Sequence, residues 1–564
     1  MFLIKYIPNQ SWRTVPEKIK GYKDQIILSG NNWDDYGSKT SFNMRVVLND
    51  KEYTNWAVRV QIEEESYSSD FLDKLCDQGW DGIFPIPNKN YISQFSEIDF
   101  YKTLISVLGK EEAAEILKKF KDASYMVNIE RDEKSLELIK IPVFNESLLR
   151  DTSSHKAYEE AWELFVEGVS SKIEDFQLNF FDKSNVVKNI NFSFSKKLLP
   201  TDINVLIGPN GIGKSYTIMI LMEYLLKLGR GDIKEIEKKD FQPFDKRPNF
   251  SNLILTSYSV FEDFLVDLNN EKIKDNEKEN YKYFGLRTRD ESNKERIGIG
   301  KNIPSIDAAK AVFKMSFDNY QFQDLSWWVN KLDLAKKTLK KAFDFDEFAI
   351  EFSSEIDSLL GCNFSIINDK KYLIINNKLQ KFPQYIRNYN AGVPILFLKN
   401  DNIVQLSSGQ KIFSYIVLNI LGEIKQGSLI VIDEPELFLH PALEIEFITL
   451  LKEILEPFES KAILATHSLS IVREVPSSCV HIYREDEFGL TVENPPFQTF
   501  GGDMQRISTY VFGDTMLKKP YENFLKKLLD ERIYTPAELI QALGNEANEE
   551  MIMDIKIWES INGN

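Results

Sequence analysis

The sequence predicts an α/β protein in which a large domain, built on a mixed sheet with helices, follows a smaller α+β domain. A short apolar strand at 203–207 runs into a glycine-rich turn and a helix, the strand–turn–helix unit of a parallel sheet. Two more apolar strands, 428–432 and 462–466, end in polar residues, as strands do at the sheet edge that holds ligands. In the first part of the chain, apolar residues alternate over 42–48 and 56–62, which indicates a hairpin with one buried face.

The composition is that of an ordinary globular protein with a large negative charge. Of 564 residues, 43% are hydrophobic and 27% charged, and this length predicts two or more domains. The net charge of −17 opposes non-specific attraction to nucleic acid and favours protein partners, although a local basic groove stays open. Three widely spaced cysteines fit a reducing compartment. With neither a secretory signal nor an apolar run of membrane-spanning length, we expect a cytoplasmic protein with no membrane attachment.

Residues 1–170 are expected to form the smaller domain, interpreted as an accessory and docking module. After the hairpin, residues 101–120 show helical spacing with a break at Gly109. Residues 136–141 have the pattern of a strand, and 155–169 that of a helix. We find no spacing of nucleophile and base, or of metal ligands, in this region.

The larger domain is expected over residues 171–515, followed by a helical tail over 516–564. A helical lobe is expected to be inserted at about 260–425. Within it, residues 269–302 are rich in charged residues and asparagine and predict an exposed loop or arm, whereas 305–360 are mostly helical in pattern. No heptad pattern is sustained, so a long coiled coil is not expected.

The glycine-rich turn after the strand at 203–207 has the sequence of a phosphate-binding loop. Its backbone N–H groups can converge on phosphates because glycines permit the tight turn, and the N-terminus of the next helix favours anions. Lys214 would pair with the β- and γ-phosphates of ATP, and the Ser215 hydroxyl would bind Mg²⁺. The predicted nucleotide-binding residues of this segment are Asn210, Gly211, Gly213, Lys214, Ser215 and Tyr216.

Two acids follow the strand at 428–432. Asp433, at the strand tip, would hold Mg²⁺ through water, because this ion takes few direct carboxylate ligands. Glu434 would face the attacking water as its general base. Two ordinary strand-end acids are the alternative, and the run Asp-Glu-Pro-Glu-Leu-Phe-Leu-His-Pro that they begin argues against it.

A second anion site is predicted at the sequence Leu-Ser-Ser-Gly-Gln, residues 406–410. Ser407 and Gly409 would begin a helix that runs from Gln410 to about Leu421. A serine hydroxyl, free backbone N–H groups and the helix dipole favour an anion there.

These segments, in this order, resemble those of ABC-type ATPases, and residues about 173–515 resemble the head ATPases related to RecF, SMC and overcoming-lysogenisation-defect (OLD) proteins. The resemblance implies that Ser407, Gly409 and Gln410 serve the ATP bound to a partner chain, so that ATP joins two heads in a homodimer. It also implies that His467 is the switch histidine, which contacts the γ-phosphate.

Shorter matches resemble PtuA-type ATPases of bacterial anti-phage systems (Septu and retron-associated). They are Leu255–Ser259, Tyr283–Arg287, Phe500–Asp503 and Phe512-Gly513. This resemblance implies the regulatory subunit of a defence complex that acts with a separate nuclease effector. A reverse transcriptase with its multicopy single-stranded DNA is a further candidate partner.

The chain also departs from the family pattern. Transport-type heads carry a glutamine after the strand at 253–257, where Ser257-Tyr258-Ser259 stands here, and His440 takes the place of the usual aspartate after the acidic strand end. Both differences argue against a transporter. The Toprim nuclease constellation of OLD proteins is not found after His467, so no nuclease activity is expected in this chain.

The alternative function is a DNA-repair or chromosome-maintenance head that binds DNA directly. Its candidate surface is a basic quartet, Lys336, Lys337, Lys340 and Lys341. The same spacing is also that of the solvent-exposed face of an ordinary helix.

Overall fold

The structure, a computed structural model, describes residues 2–8, 18–30, 38–53, 56–166, 173–195, 198–229, 241–266, 280–289, 297–352, 363–377, 393–486, 489–513 and 520–562. The chain forms two compact units, Met1–Gly501 and Gly502–Asn564. The predicted boundary near residue 170 lies inside the first unit.

The strands are β1 (Leu3–Ile7), β2 (Gln25–Gly30), β3 (Ser41–Leu48), β4 (Lys51–Tyr53), β5 (Ala57–Ile62), β6 (Tyr91–Phe95), β7 (Phe176–Phe181), β8 (Val187–Phe192), β9 (Ile203–Ile207), β10 (Leu253–Ser257), β11 (Tyr281–Gly285), β12 (Arg287–Arg289), β13 (Ile297–Ile299), β14 (Glu347–Glu351), β15 (Asn363–Ile367), β16 (Lys370–Ile375), β17 (Ile395–Lys399), β18 (Asn402–Ile403), β19 (Leu429–Asp433), β20 (Lys461–Thr466), β21 (Val480–Asp486) and β22 (Gly489–Glu493).

The α-helices are α1 (Ser68–Asp77), α2 (Ile98–Leu108), α3 (Lys110–Phe120), α4 (Ala123–Tyr125), α5 (Glu133–Leu138), α6 (Thr152–Glu160), α7 (Lys214–Gly229), α8 (Ile303–Phe322), α9 (Lys331–Leu339), α10 (Ser408–Glu423), α11 (Pro441–Leu455), α12 (Leu469–Val472), α13 (Met504–Phe512), α14 (Pro520–Asp530), α15 (Pro536–Leu543) and α16 (Glu549–Asn562). Shorter turns are π-helical at Met126–Glu130 and Phe144–Leu148, and 3₁₀ at Ala161–Phe165, Pro435–Phe438, Glu456–Phe458, Ser477–Cys479 and Gly544–Glu546.

The N-terminal region is built on a six-stranded sheet of order β1-β2-β3-β5-β6, with β4 pairing β3. Asn49 and Asp50 turn the chain as predicted, with left-handed φ values of 51° and 64°, but the strand that follows the turn is the short β4. The predicted second arm, β5, pairs with β3 only over residues 41–43 and 57–59. The expectation of a single buried face is wrong, since every position of β3 and β5 is buried or half-buried. Arg59 of β5 shows this, because its side chain is buried, forms an ion pair with Asp151 and donates to Ser154 Oγ at 2.7 Å.

The helices of this region agree with the sequence at one break and depart from it at two places. Gly109, at φ 84°, separates α2 from α3 as predicted. The strand expected at 136–141 is wrong, because residues 136–138 lie in α5 and residues 139–141 form a turn after it. The Asp132 carboxylate accepts the Ser135 N–H as the N-cap of α5. Helix α6 ends at Glu160, earlier than expected, and a 3₁₀ turn continues it.

A seven-stranded sheet of order β11-β10-β19-β20-β9-β21-β22 forms the centre of the large region. All its neighbours run parallel except β21 and β22. The predicted strands β9, β10, β19 and β20 are confirmed and are buried along their whole length. Because Thr466 pairs with Ile207 and Asp433 with Ala465, the carboxyl ends of β9, β20 and β19 lie side by side.

The loop expected at 269–302 is wrong for its described residues. Strand β11 joins the central sheet beside β10, and β12 pairs with β13. Tyr281 and Phe284 of β11 are buried while their polar neighbours are half-exposed, the pattern of an edge strand in a charged segment. Residues 267–279 and 290–296 lie outside the described part.

The inserted lobe is only partly helical. Helices α8 and α9 confirm the pattern seen from residue 305, and α8 packs against α10. Residues 347–351 were expected in a helix but form β14, in an antiparallel sheet of order β15-β16-β14-β17-β18. Phe348 of β14 packs against Phe345 and Phe397, with ring centroids 5.2 and 5.8 Å apart. Tertiary packing therefore decides the conformation of this short segment.

The second unit, 502–564, is helical, as expected for the tail. Helices α14, α15 and α16 bury Leu525, Leu529, Leu539 and Ile555 in a small core of their own. In the described parts of both units, no helix is long and apolar enough to span a bilayer.

Candidate functional site

The phosphate-binding loop joins β9 to α7, and its glycines are required for two physical reasons. A Cβ at Gly208 would lie 2.7 Å from the carbonyl oxygen of Tyr483, so only glycine lets β21 pass this closely. Gly211 and Gly213 have φ values of 75° and 113°, which side-chain-bearing residues rarely adopt. Asn210 and Gly211 are exposed at the tip of the loop, where a phosphate would approach.

Lys214 lies at the base of the loop and is 4% exposed. Its ammonium donates to the carbonyl oxygens of Gly208 and Pro209 at 3.0 and 3.2 Å. Its Nζ is also 2.8 Å from Nε2 of His467, so the structure brings these two predicted residues together. Burial lowers the pKa of Lys214 to about 8, against the attraction of nearby carboxylates.

Ser215 and Asp433, the predicted metal residues, also meet. The Ser215 hydroxyl donates to Asp433 Oδ1 at 3.1 Å, and the Asp433 side chain is buried. The other carboxylate oxygen, Oδ2, is buried and has no hydrogen-bond partner among the described residues. Burial, with the negative charges of Glu434 and Glu262, raises the pKa of Asp433 to about 8.

A divalent cation fits this pair. A hydroxyl and a carboxylate with one unfilled oxygen are hard oxygen donors of the kind that Mg²⁺ prefers, and a cation would supply the missing partner of Oδ2. In the described part of the chain, no cluster of three or more His, Cys, Asp or Glu side chains could hold a metal ion. Ser215 and Asp433 would therefore share the cation with phosphate oxygens and water.

Glu434 stands in a strained backbone conformation. Its φ and ψ are 50° and 58°, in the left-handed region, which costs a non-glycine residue about 1–3 kcal/mol. Its Oε1 lies 3.7 Å from Nε2 of His467, and this neighbour lowers the pKa of the Glu434 carboxyl. The side chain is half-exposed and stays ionised, the state that a general base needs.

Glu436 and Ser468 hold the loop that carries His467, and the sequence reasoning assigned neither of them a role. The backbone N–H of His467 donates to Glu436 Oε1, and burial raises the pKa of this carboxyl. The hydroxyl of Ser468 donates to Glu444. Glu436 belongs to the acidic run after β19, and its place in that run is the sequence feature that could have indicated a role at the site.

Glu262 is a further carboxylate of the site that carries no sequence motif. It follows β10, whose last residue, Ser257, pairs with Asp433. Burial and the charge of Glu434 raise the pKa of Glu262. The Arg287 guanidinium donates to the carbonyl oxygen of Glu262 and pairs with Asp263 at 3.0 Å, which fixes the segment. Only the strand order reveals this placement.

Tyr216 makes a structural contact. Its hydroxyl donates to the carbonyl oxygen of Phe181 in β7 at 3.4 Å, which links α7 to that strand. A role of Tyr216 at the nucleotide stays a prediction.

The second predicted anion site lies at the N-terminus of α10. Ser407 caps this helix: its hydroxyl accepts the Gln410 N–H at 3.3 Å, and the Gln410 side chain accepts the Ser407 N–H at 3.0 Å. Ser407 is exposed and Gly409 is buried. In the described part of the chain, no hydrogen bond or ion pair joins these residues to the phosphate-binding loop. His440, also exposed, caps α11 by accepting the Ala442 N–H at 3.4 Å.

Comparisons with known proteins bear on the class. A family described as "AAA domain, putative AbiEii toxin, Type IV TA system" matches residues 219–473. Protein ea59 of Escherichia phage lambda is 23% identical over 530 residues, which cover 91% of this chain and 90% of that protein.

Among solved structures, the SMC head domain from Thermotoga maritima is 14% identical, covers 58% of this chain and all of its own (100%), and gives a TM-score of 0.23. The ADP conformation of MJ1267, an ATP-binding cassette of an ABC transporter, is 12% identical, covers 58% of this chain and 94% of its own, and gives a TM-score of 0.27. TM-scores this low carry no argument about function.

The class follows from the site and the sheet. A glycine-rich loop between β9 and α7, an acidic tip on β19, and β20 between the two strands form the core of a P-loop NTPase of the ABC-ATPase type. The family match begins inside α7, after the phosphate-binding loop, and ends one residue beyond α12, and an α+β region precedes it. The chain therefore has the fold of a P-loop NTPase of the ABC-ATPase type.

Proposed function

We propose that this chain binds ATP with Mg²⁺ between the loop after β9 and the tips of β19 and β20, and hydrolyses it. The observation that carries the proposal is the meeting of Lys214, Asp433, Glu434 and His467. His467 Nε2 lies 2.8 Å from the Lys214 ammonium and 3.7 Å from the Glu434 carboxylate. One ring thus touches the group that would bind phosphate and the group that would activate water.

The residues divide the chemistry between them. The loop N–H groups and Lys214 would hold the phosphates, while Ser215 and Asp433 would hold Mg²⁺, which neutralises phosphate charge when bound. Glu434 would take the proton of a water whose oxygen bonds to the γ-phosphorus. The bond from that phosphorus to the bridging oxygen breaks, and ADP and phosphate leave. His467 would contact the γ-phosphate while ATP is intact and would lose this contact after hydrolysis, when the phosphate leaves.

The test is Glu434→Gln, which keeps the side-chain shape and removes the base. We expect ATP affinity within a few-fold of wild type and hydrolysis slower by about 10²–10⁴-fold. Glu446→Gln, on α11, is the matched control and should leave turnover unchanged. Turnover of the Glu434 variant within a few-fold of wild type would remove Glu434 from this role.

We further propose that the chain is a dimerising switch. The N-terminus of α10 is exposed and lies outside the contacts of its own phosphate-binding loop, which supports a role at the ATP of a second copy. ATP would then join two chains, and hydrolysis would release them.

The biological setting that we propose is regulation of an anti-phage defence complex with a separate nuclease effector. Support comes from the family description, which includes a putative toxin. Co-expression with a nuclease encoded beside this chain tests it: wild type should reduce phage plaques and Lys214→Ala should not. Equal protection by the wild-type and Lys214→Ala proteins would show that defence does not require ATP binding.

Direct action on DNA is the second candidate, and the charge of the described surface supports it less well. Within the basic quartet, Lys336 pairs with Glu347 at 2.6 Å and Lys341 with Glu453 at 2.6 Å. These pairs leave less positive charge for phosphates than the sequence indicates. Tight DNA binding that weakens after Lys337→Glu would favour this candidate over the first.

A further inference from the structure

Two buried polar side chains lie where α10 packs against β10 and β11. Tyr258 comes directly after β10 and is 4% exposed, and Asn419 lies inside α10 and is 0% exposed. Among the described residues, neither the Tyr258 hydroxyl nor either end of the Asn419 carboxamide makes a hydrogen bond of normal length and angle. Buried polar side chains in native proteins nearly always make such a bond, so this pair requires an explanation.

The two groups are neighbours of matching chemistry. Burial raises the pKa of the Tyr258 phenol, and the adjacent Asn419 carboxamide opposes that rise. A phenol can donate to a carboxamide oxygen or accept from its N–H groups. The partners are therefore close together, and only their relative placement leaves the hydrogen bond poorly made.

On the side of the sheet, the backbone next to Tyr258 is held firmly. Ser257, the last residue of β10, pairs in register with Asp433, the acidic tip of β19. The Tyr283 hydroxyl of β11 donates to the carbonyl oxygen of Ser257 at 3.2 Å. Tyr258 is thus fixed beside the strand tips that carry the candidate metal site.

On the other side of the pair, α10 is joined closely to α8. A Cβ at Gly422 of α10 would lie 2.6 Å from Cβ of Ala311, so the two helices touch backbone to backbone. Glu423 of α10 also pairs with Lys314 of α8 at 2.5 Å. Close packing of this kind makes α8 and α10 one rigid body. The poorly made polar contact lies at the boundary between that body and β10.

We propose that Tyr258 and Asn419 are positioning residues, which set α10 relative to the tips of β10 and β19 and complete their hydrogen bond in the arrangement that hydrolyses ATP. A shift of α10 that makes this bond regains the interaction that the two buried groups lack. The inference rests on the proposed ATPase function. Neither side chain is placed to touch the nucleotide, so both act through the elements that carry them.

The geometry of α10 makes such a shift matter at its other end. Ser407, the N-cap of α10, lies about three turns from Asn419, or about 18 Å along the helix axis. A tilt at Asn419 is carried along the continuous helix to Ser407. The pair therefore connects the place of the second predicted anion site to the place of Asp433.

The test is a double-mutant cycle in the full chain. Tyr258→Phe keeps the ring and removes the hydroxyl, and it should lower kcat about 3- to 10-fold. Calorimetric ATP affinity should stay within a few-fold of wild type, because the phosphate-binding loop is untouched. Asn419→Leu, of similar size, should cause a similar loss of kcat. The double variant should lose no more than the larger single loss, because both changes remove the same bond.

Melting of the nucleotide-free proteins supplies a second readout. Tyr258→Phe should melt at or above the temperature of wild type, because the lost hydroxyl makes no well-formed bond in this arrangement. The matched control is Tyr101→Phe in the N-terminal region, whose hydroxyl donates to Asp122 Oδ2 at 2.6 Å. This control should melt lower than wild type and keep its kcat, the reverse of the pattern expected for Tyr258→Phe.

Two results would overturn the inference while the proposed function stands. One is a kcat loss in the double variant equal to the product of the single losses, which would mean that the two side chains act independently. The other is a melting temperature of Tyr258→Phe as low as that of Tyr101→Phe, which would mean that the hydroxyl is already well bonded. A wild-type chain that hydrolyses no ATP would instead remove the proposed ATPase function, and with it the role of the pair in turnover.

Discussion

Asp433→Asn is expected to stabilise the nucleotide-free protein while it abolishes Mg²⁺-dependent hydrolysis. The folded chain raises the pKa of this buried carboxyl from 3.8 to about 8. A raised pKa means that the folded state binds the proton more tightly than the unfolded state does. The stability contributed by Asp433 is therefore fully present below pH 3.8 and is lost as the pH rises towards 8.

The magnitude follows from the two pKa values. The loss amounts to about 1.4 kcal/mol per pH unit, or about 4 kcal/mol between pH 3.8 and pH 7. Asparagine is neutral at every pH and its side-chain oxygen can still accept from Ser215, so it avoids this loss. Thermal melts from pH 5 to pH 8 should show the variant above wild type, by a margin of several degrees that widens with pH.

Asp151→Asn is the matched control with the opposite sign. Burial alone would raise the pKa of Asp151, but Arg59 and Arg150 outweigh burial and hold it below its usual value. Asp151 therefore contributes stability above the unfolded pKa that is lost as the pH falls, and its amide variant should melt lower than wild type at neutral pH. A margin for Asp433→Asn that stays constant with pH, or that is negative at pH 8, would refute the reasoning.

Three further predictions concern binding and turnover. Lys214→Ala should abolish ATP binding, because the backbone loop alone cannot neutralise the β- and γ-phosphates, and calorimetric binding at near-normal affinity would contradict the loop assignment. Glu436→Ala should leave ATP affinity within a few-fold of wild type but lower turnover by about 10- to 100-fold, because it removes the acceptor of the His467 backbone N–H. A change confined to affinity would show that Glu436 does not position His467. Mixing Ser407→Arg chains with Lys214→Ala chains should restore part of the ATPase activity, because the mixed dimer keeps one complete site. The control is a linked dimer of one wild-type chain and one doubly mutated Lys214→Ala, Ser407→Arg chain. Activity in that control alone would mean that each site is completed within one chain.

The sequence predicts the centre of the fold well because the central strands are continuous apolar runs. Strands β9, β10, β19 and β20 are buried on both faces, so their sequences contain few polar residues to obscure the pattern. The edge strand β11 and the lobe strand β14 were missed for the opposite reason. Each is five residues long and half-exposed at two positions, and its neighbours in the sheet stabilise the extended conformation.

The site shows a similar division. Residues whose chemistry requires a fixed local spacing, such as Lys214 in its loop and Asp433 at a strand tip, could be predicted from the chain alone. Glu262 could not, because it approaches the site only through the pairing of β10 with β19. The contact of the Tyr216 hydroxyl with β7 could not be predicted either, because it depends on how α7 packs against that strand.

The N-terminal region is attached to the ATPase region at the turn between α10 and β19, which bears on its proposed role as a docking module. Lys425 in this turn pairs with Glu97, and a Cβ at Gly427 would lie 2.5 Å from Cε of Lys156, a buried residue of α6. Four residues of strand separate this turn from Asp433, the last residue of β19. A partner that displaced the N-terminal sheet would therefore move the strand that carries Asp433. We therefore propose that docking and ATP hydrolysis are coupled through that short, fully buried strand. Point substitutions at Glu97 test this coupling more cleanly than removal of the whole region, which would expose the interface to water.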